Sequence, residues 1–303
     1  MTLPSPVLMI LPVPAQAVPL QAAIRALAPG LELHVWHREL PEALLARAQV
    51  LLAWRFPPTL AGKLPALRWV CASAAGVDKL MVPELPAGVP VSRIVDPDQA
   101  LGIAQYVASV VLAQVRELPR YQAQQLQRDW SRHPLSAARH RVGVLGYGEV
   151  GAEIGRVLGA LGFTVQGWRR SSGPLHGFLA GCDIVVNALP LTPATTGLLD
   201  AAAFAAMPRG AYVVNIARGA HVVEADLIAA LASGHLAGAA LDVQQNEPLP
   251  PEDPLWAAPG VFITPHIAGQ SLPQVVAAQF VAGLEALARG EALPNLVDRG
   301  RGY

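Results

Sequence analysis

Short apolar runs separated by helical patterns recur along this chain, and they decide its fold class. Runs of strand length fall at 7–13, 31–36, 50–54 and 68–72, with helical patterns over 15–28 and 41–48. Strands that stay apolar without alternation are buried on both faces, as in parallel sheets covered by helices. Residues 97–127 form one long helical pattern, with Ala104, Val107, Ala108, Val111 and Leu112 on a shared face. Strand and helix then alternate through 142–145, 150–161, 164–168, 183–188, 201–205, 211–216, 224–233, 238–243 and 261–264, before a last helix over 272–289. The pattern predicts an α/β protein of two domains, each a parallel sheet flanked by helices. The first apolar run has no basic residue ahead of it and is cut by Pro12 and Pro14. It reads as a core strand rather than a signal peptide. No uninterrupted apolar stretch reaches the roughly 18 residues of a membrane span.

The second series opens on VGVLGYGEVGAEIGRVLGALG, in which Gly146, Gly148 and Gly151 follow a strand and precede a helix. Gly146 permits the tight turn, Gly148 lets the backbone approach a pyrophosphate, and Gly151 lets helix pack on strand. Glu149 and Val150 lie between them, at the N-terminus of the helix, where unpaired N–H groups and the positive dipole end suit an anion.

Composition narrows the setting. A chain of 303 residues accommodates two ordinary domains. Its formal net charge is zero, which gives no sign of a nucleic-acid partner. Cys71 and Cys182 are the only cysteines, too few for a disulfide framework or a zinc site, and no metal is expected. A reducing, cytoplasmic location follows.

Three polar stretches fall at carboxyl ends of strands, where open α/β sheets bind ligands. Arg218 follows the strand at 211–216 and can clamp a carboxylate through two parallel hydrogen bonds. Asp242 ends the next strand, and Glu247 lies in the loop beyond it. His266 follows the strand at 261–264 and is suited to proton exchange near neutral pH, with a carboxylate behind it to fix its tautomer. Any one of these alone reads as structural or as a solvated surface group; together, beside a dinucleotide loop, they mark a site. In the first domain, SAAGVDKL offers the backbone N–H groups of Ala75, Gly76 and Val77 to an anion, or is a plain strand-to-helix turn.

The motifs GYGEVG, NALPLTPATTGLL, NIARG, LDV with NEPLP, and PHIAG come in an order and spacing that resembles the D-isomer-specific 2-hydroxyacid dehydrogenases along most of the chain. The stretch AWRFPP (Ala53–Pro58) and the ending VDRGRGY are similar to the short bacterial glyoxylate/hydroxypyruvate reductases of that family. The resemblance implies a Rossmann-type dinucleotide-binding domain, 94–271, inserted into a discontinuous flavodoxin-like substrate domain, 1–93 and 272–303, with the crossings as hinge. It implies that Arg218 binds the substrate carboxylate and carbonyl, that His266 is the acid/base, and that Glu247 orients and charges His266. Asp242 would meet the nicotinamide amide, and Trp168, Leu189, Pro190, Thr195, Ile216 and Ala217 would line the cofactor. SAAGVD would be the carboxylate-binding loop, with Ala74 in place of the commoner glycine or serine. Trp54 would sit at the substrate rim or, equally, be a core tryptophan. A homodimer built on the 97–127 helix is the family's habit.

The cofactor can be read more closely. NAD-binding relatives of this fold place an Asp or Glu about 20 residues past the glycine loop to hold the ribose hydroxyls. Here no acid occurs between Glu153 and Asp183, and the strand at 164–168 runs into Arg169 and Arg170, then Ser171 and Ser172. Two guanidinium groups there suit the 2′-phosphate of NADPH, with NAD use remaining possible; the alternative is that both face solvent. The expectation is an NADPH-preferring reductase of a small 2-oxo acid, glyoxylate or hydroxypyruvate. Its rivals are a dehydrogenase for a bulkier D-2-hydroxy acid and a dinucleotide-sensing protein of the corepressor kind.

Overall fold

The structure, a computed structural model, describes residues 2–11, 17–134 and 140–300. The chain forms two compact units: Met1–Pro97 with Gln270–Tyr303, and Asp98–Gly269.

The first unit holds β1 (Val7–Ile10), α1 (Ala17–Leu27), β2 (Leu33–Val35), α2 (Glu42–Arg47), β3 (Val50–Ala53), β4 (Trp69–Ala72) and β5 (Val91–Ser92). The strands are all parallel, in the order β2-β1-β3-β4-β5 characteristic of flavodoxin-like sheets. The two-residue β5 is absent from the apolar pattern because Pro83, Pro86 and Pro90 break up the segment before it. Residues 12–13 of the expected first strand, and 15–16 of the helix after it, lie outside the described residues. Strand pleating sends alternate side chains to opposite faces: Val7, Met9, Val50, Leu52, Trp69 and Cys71 to one core, Leu8, Leu51, Ala53 and Val70 to the other. Both faces are covered by buried apolar residues, so the strands read as continuous apolar runs.

The second unit begins with α3 (Pro97–Val115) and α4 (Leu118–Gln127). The sequence pattern predicts one helix here, and the structure corrects this to two. Glu117 takes a left-handed φ of 54° between them, and Pro119 falls in the first turn of α4. Proline lacks the N–H that would continue the ladder, and its ring clashes with the preceding turn. The unit continues through β6 (Arg141–Leu145), α5 (Glu149–Ala160), β7 (Thr164–Trp168), α6 (Leu175–Leu179), β8 (Ile184–Asn187), α7 (Ala201–Ala206), β9 (Ala211–Asn215), α8 (Glu224–Ala232), β10 (Leu236–Leu241) and β11 (Val261–Ile263). The parallel sheet has the order β11-β10-β9-β8-β6-β7. Strand order reverses between β6 and β8, and such a switch point opens a crevice at the carboxyl ends of the strands. The glycine loop leaves β6 there. The short α6 is not foreshadowed by the sequence pattern; five residues are too few to show a period.

The chain then returns to the first unit as α9 (Pro273–Arg289), which buries Val276, Ala277, Phe280 and Leu284 in the first core. Phe280 stacks on Trp69 with ring centroids 5.4 Å apart, and the Trp69 indole N–H donates to Ser92 Oγ at 3.0 Å.

Candidate active site

The first and third glycines of the loop show the turn and the close packing that their spacing predicts. Gly146 has a φ of +87°, where an L side chain is strained, and a Cβ on it would come within 2.6 Å of the Ala188 carbonyl oxygen. A Cβ on Gly151 would overlap the Gly146 carbonyl, whereas one on Gly148 would meet nothing within 4 Å. The first and third glycines are therefore needed for the protein's own packing. The middle one faces open space at the N-cap of α5, with Glu149 in the first turn.

At the ends of β8 and β9, Asn187 and Asn215 are fully buried and paired, Asn187 Nδ2 donating to Asn215 Oδ1 at 3.0 Å. Asn187 Oδ1 accepts from the Leu189 N–H, and Asn215 Oδ1 from the Ala217 N–H, both at 3.2 Å. Asn215 Nδ2 donates to the Arg218 carbonyl at 2.9 Å. One amide pair thus fixes both loops expected to line a cofactor and the backbone of Arg218. His221, wholly buried, adds a second link: its Nδ1 lies 3.1 Å from the Arg218 carbonyl oxygen and its Nε2 3.3 Å from that of Pro190. Sequence reasoning assigned no role to Asn187, Asn215 or His221. The only signal was an Asn ending each of two apolar strands. The Thr195 hydroxyl turns into its own loop, donating to the Pro190 carbonyl at 2.8 Å.

Arg218 is half-buried, with Nη1 donating to the Ala217 carbonyl at 2.7 Å. Behind it the turn 219–221 lies against the loop that carries Glu247, because a Cβ on Gly219 would overlap the Gln244 backbone. Gln245 locks the contact: its N–H donates to Glu224 Oε1 at 2.8 Å and its side-chain amide to the Val222 carbonyl at 2.6 Å. Burial raises the Glu224 carboxyl above its usual range, opposed by that N–H. Gly219→Ala is therefore expected to destabilise the protein by about 1–3 kcal/mol through overpacking. Denaturant unfolding measures this, and an unchanged midpoint would contradict it.

Glu247 and His266 are brought together, His266 Nδ1 standing 3.0 Å from Glu247 Oε2. Glu247 Oε1 accepts from the Gln244 N–H at 3.2 Å, so the carboxylate is held from behind. A carboxylate on Nδ1 selects the tautomer that leaves Nε2 for proton exchange. His266 has a left-handed φ of 55°, sustained by its N–H donating to the Asp242 carbonyl at 2.8 Å. The Asp242 carboxylate is itself 1% exposed and accepts from the N–H groups of Ile267 and Ala268, each at 2.8 Å. Asp242 is expected at the cofactor; the structure shows it gripping the loop of His266.

At the end of β7, Trp168 is buried, and its indole N–H donates to the Gly173 carbonyl at 3.1 Å. Arg169 and Arg170 are exposed, and the Arg169 guanidinium donates through Nε and Nη2 to the Tyr147 carbonyl of the glycine loop. In the first unit no helix follows Ser73; Ala74, Ala75 and Gly76 are half-buried in a loop. The Lys79 ammonium lies 5.4 Å from the ring centroid of Trp54, so Trp54 and this loop share one end of that sheet. Arg301 to Tyr303 of the ending VDRGRGY lie outside the described residues. Among the described residues no group of His, Cys, Asp and Glu side chains is arranged to hold a metal ion.

The comparisons with known proteins agree with this geometry. The family model for D-isomer specific 2-hydroxyacid dehydrogenase, NAD binding domain, matches residues 108–268. A glyoxylate/hydroxypyruvate reductase A of Yersinia enterocolitica is 39% identical over 277 residues, 84% of this chain and 88% of its own length. Two solved structures are similar over nearly the whole chain. One is a D-isomer specific 2-hydroxyacid dehydrogenase of Xanthobacter autotrophicus Py2 in complex with NADPH and MES, at 39% identity and a TM-score of 0.86, covering 98% of this chain and 99% of the other. The second is an NADPH-dependent glyoxylate/hydroxypyruvate reductase of Sinorhizobium meliloti in complex with NADP and sulfate, at 33% identity and a TM-score of 0.89, covering 99% and 100%. With a glycine loop at the switch point, a histidine–glutamate pair and an arginine at neighbouring strand ends, the chain belongs to the D-isomer specific 2-hydroxyacid dehydrogenases, NAD(P)-dependent enzymes.

Proposed function

We propose that the protein reduces a small 2-oxo acid, glyoxylate or hydroxypyruvate, with NADPH, using His266 as the acid. The observation that carries this reading is the 3.0 Å contact of His266 Nδ1 with Glu247, on a loop beside that of Arg218. Its specificity rests on the named relatives. The residues present suit the cofactor: the open face of Gly148 admits a pyrophosphate to the N-terminus of α5, and Arg169 and Arg170 supply a fork for the 2′-phosphate. Glu149, Val150, Trp168, Leu189, Pro190, Thr195, Ile216, Ala217 and Asp242 complete the assigned cofactor surroundings. When bound, NADPH supplies a hydride for the substrate's carbonyl carbon.

The chain's own residues do the rest. Arg218 holds the carboxylate and polarises the carbonyl oxygen through its planar fork. Nε2 of protonated His266 gives its proton to that oxygen, and Glu247 stabilises the imidazolium beforehand. The Ala75 and Gly76 amides are assigned to the substrate carboxylate and Trp54 to the substrate rim. We assign residues 1–93 and 272–303 to substrate binding and 94–271 to the dinucleotide.

A homodimer is proposed on α3 and α4. Leu118, Leu126 and Trp130 expose 50%, 88% and 90% of their surface on and just beyond α4, an apolar cluster a partner would cover. Light scattering tests this, and a monomer at micromolar concentration would refute it. A cytoplasmic location is supported by two free, buried cysteines. No described helix is long and apolar enough to cross a membrane.

The cofactor preference is tested by kcat/KM for NADPH and NADH at fixed glyoxylate. NADPH is expected to be preferred, and Arg169→Ala/Arg170→Ala is expected to erase most of that preference. A preference for NADH that the double variant leaves unaltered would contradict the assignment. A panel of 2-oxo acids of increasing size tests the substrate. Highest kcat/KM on a bulky acid would replace glyoxylate and hydroxypyruvate.

A further inference from the structure

A chain of side-chain hydrogen bonds leads from α3 to the loop that carries His266. The Tyr106 hydroxyl lies 2.7 Å from Thr264 Oγ1, and Thr264 Oγ1 lies 2.6 Å from Asp242 Oδ1. The direction of the chain follows from valence. Thr264 donates its single hydroxyl proton to Asp242 Oδ1. Tyr106 must then donate to Thr264. Burial pushes the Tyr106 phenol up to about 12, so it keeps its donor proton through the neutral range. At the far end, Asp242 receives the N–H groups of Ile267 and Ala268, the two residues after His266. Successive amides after a left-handed residue form a concavity for an anion, and here the protein fills it with its own carboxylate.

We propose that Tyr106 is a positioning residue for His266, acting through Thr264 and Asp242; this rests on the reading of His266 as the acid. Each bond neutralises or orients the next, so the far hydroxyl sets how firmly Asp242 grips the two amides. The loop's left-handed turn at His266 aims the imidazole, and loosening the grip misaligns it without removing any group that touches substrate.

The test combines kinetics with amide hydrogen exchange of the ligand-free protein. Tyr106→Phe and Thr264→Val each remove one hydroxyl while keeping shape. Each is expected to lower kcat on glyoxylate about three- to tenfold, leaving KM nearly unchanged, since a single hydrogen bond is at stake. Exchange at Ile267 and Ala268 should accelerate by a similar factor, with that at Val142 and Val144 in β6 unchanged. Thr264→Ser should recover most of what Thr264→Val loses, which settles the matter even if Tyr106→Phe folds poorly. Wild-type kcat and wild-type exchange in both hydroxyl-less variants would overturn the proposal, as would acceleration spread evenly over the sheet. His266→Gln measured alongside separates the two claims. If it stays near wild type, the functional reading fails; if it is inactive while the hydroxyl variants behave as wild type, only this inference fails.

Discussion

His266→Gln is expected to lose turnover by about 10²–10⁴-fold while still binding NADPH, because it removes a general acid while sparing the glycine loop. The glycine loop lies after β6 and His266 after β11, where the imidazole pairs with Glu247. Glutamine keeps polarity and comparable reach but cannot deliver a proton near neutral pH. The backbone strain at His266 is compatible with the change, since the left-handed φ is held by the Asp242 clamp rather than by the imidazole. Steady-state kcat, together with dinucleotide binding by fluorescence, separates the outcomes. Retained turnover would remove His266 from the mechanism; lost binding would make it a structural residue.

Arg218→Lys is expected to lower kcat/KM on glyoxylate by about 10²–10³-fold, the range found when a donor aimed at a developing oxyanion is removed. Charge is conserved in this variant. What disappears is the planar fork that meets carboxylate and carbonyl at once, and a flexible ammonium cannot replace it. Arg218 Nη1 is already tied to the Ala217 carbonyl, and its own carbonyl is held by Asn215 and His221. The guanidinium is thus presented from a fixed backbone, and an ammonium on the same backbone would lack its two parallel donors. An unchanged kcat/KM would make Arg218 structural.

The fold was legible in the sequence where burial leaves a periodic trace. Strands apolar on both faces, such as Val142–Leu145 and Val213–Val214, could belong only to a covered parallel sheet. The three glycines of the β6 loop announced a turn and a close packing that Gly146 and Gly151 realise. The break between α3 and α4 was less legible. Pro119 was visible, but the apolar face of α3 carried the helical period up to it. Arg218 and His266 stood out because each closely follows a strand and has specific chemistry, and Glu247 because the motif around it resembles the family's. The buried pair Asn187–Asn215 and the relay from Tyr106 did not stand out. Their partners lie 28 and 158 residues apart, a separation that no local pattern encodes. Asp242 shows the other limit: the resemblance implied a cofactor role, and nothing local foretold that its carboxylate also accepts from Thr264, Ile267 and Ala268.

The central claim, reduction of a small 2-oxo acid by NADPH, is tested most directly by following NADPH consumption by the purified protein with glyoxylate added. Consumption is expected to depend on glyoxylate, to saturate with it, and to yield glycolate in equal amount. NADPH that is bound but not consumed, with glyoxylate and hydroxypyruvate alike, would contradict it and leave a dehydrogenase for a bulkier acid or a dinucleotide-binding sensor.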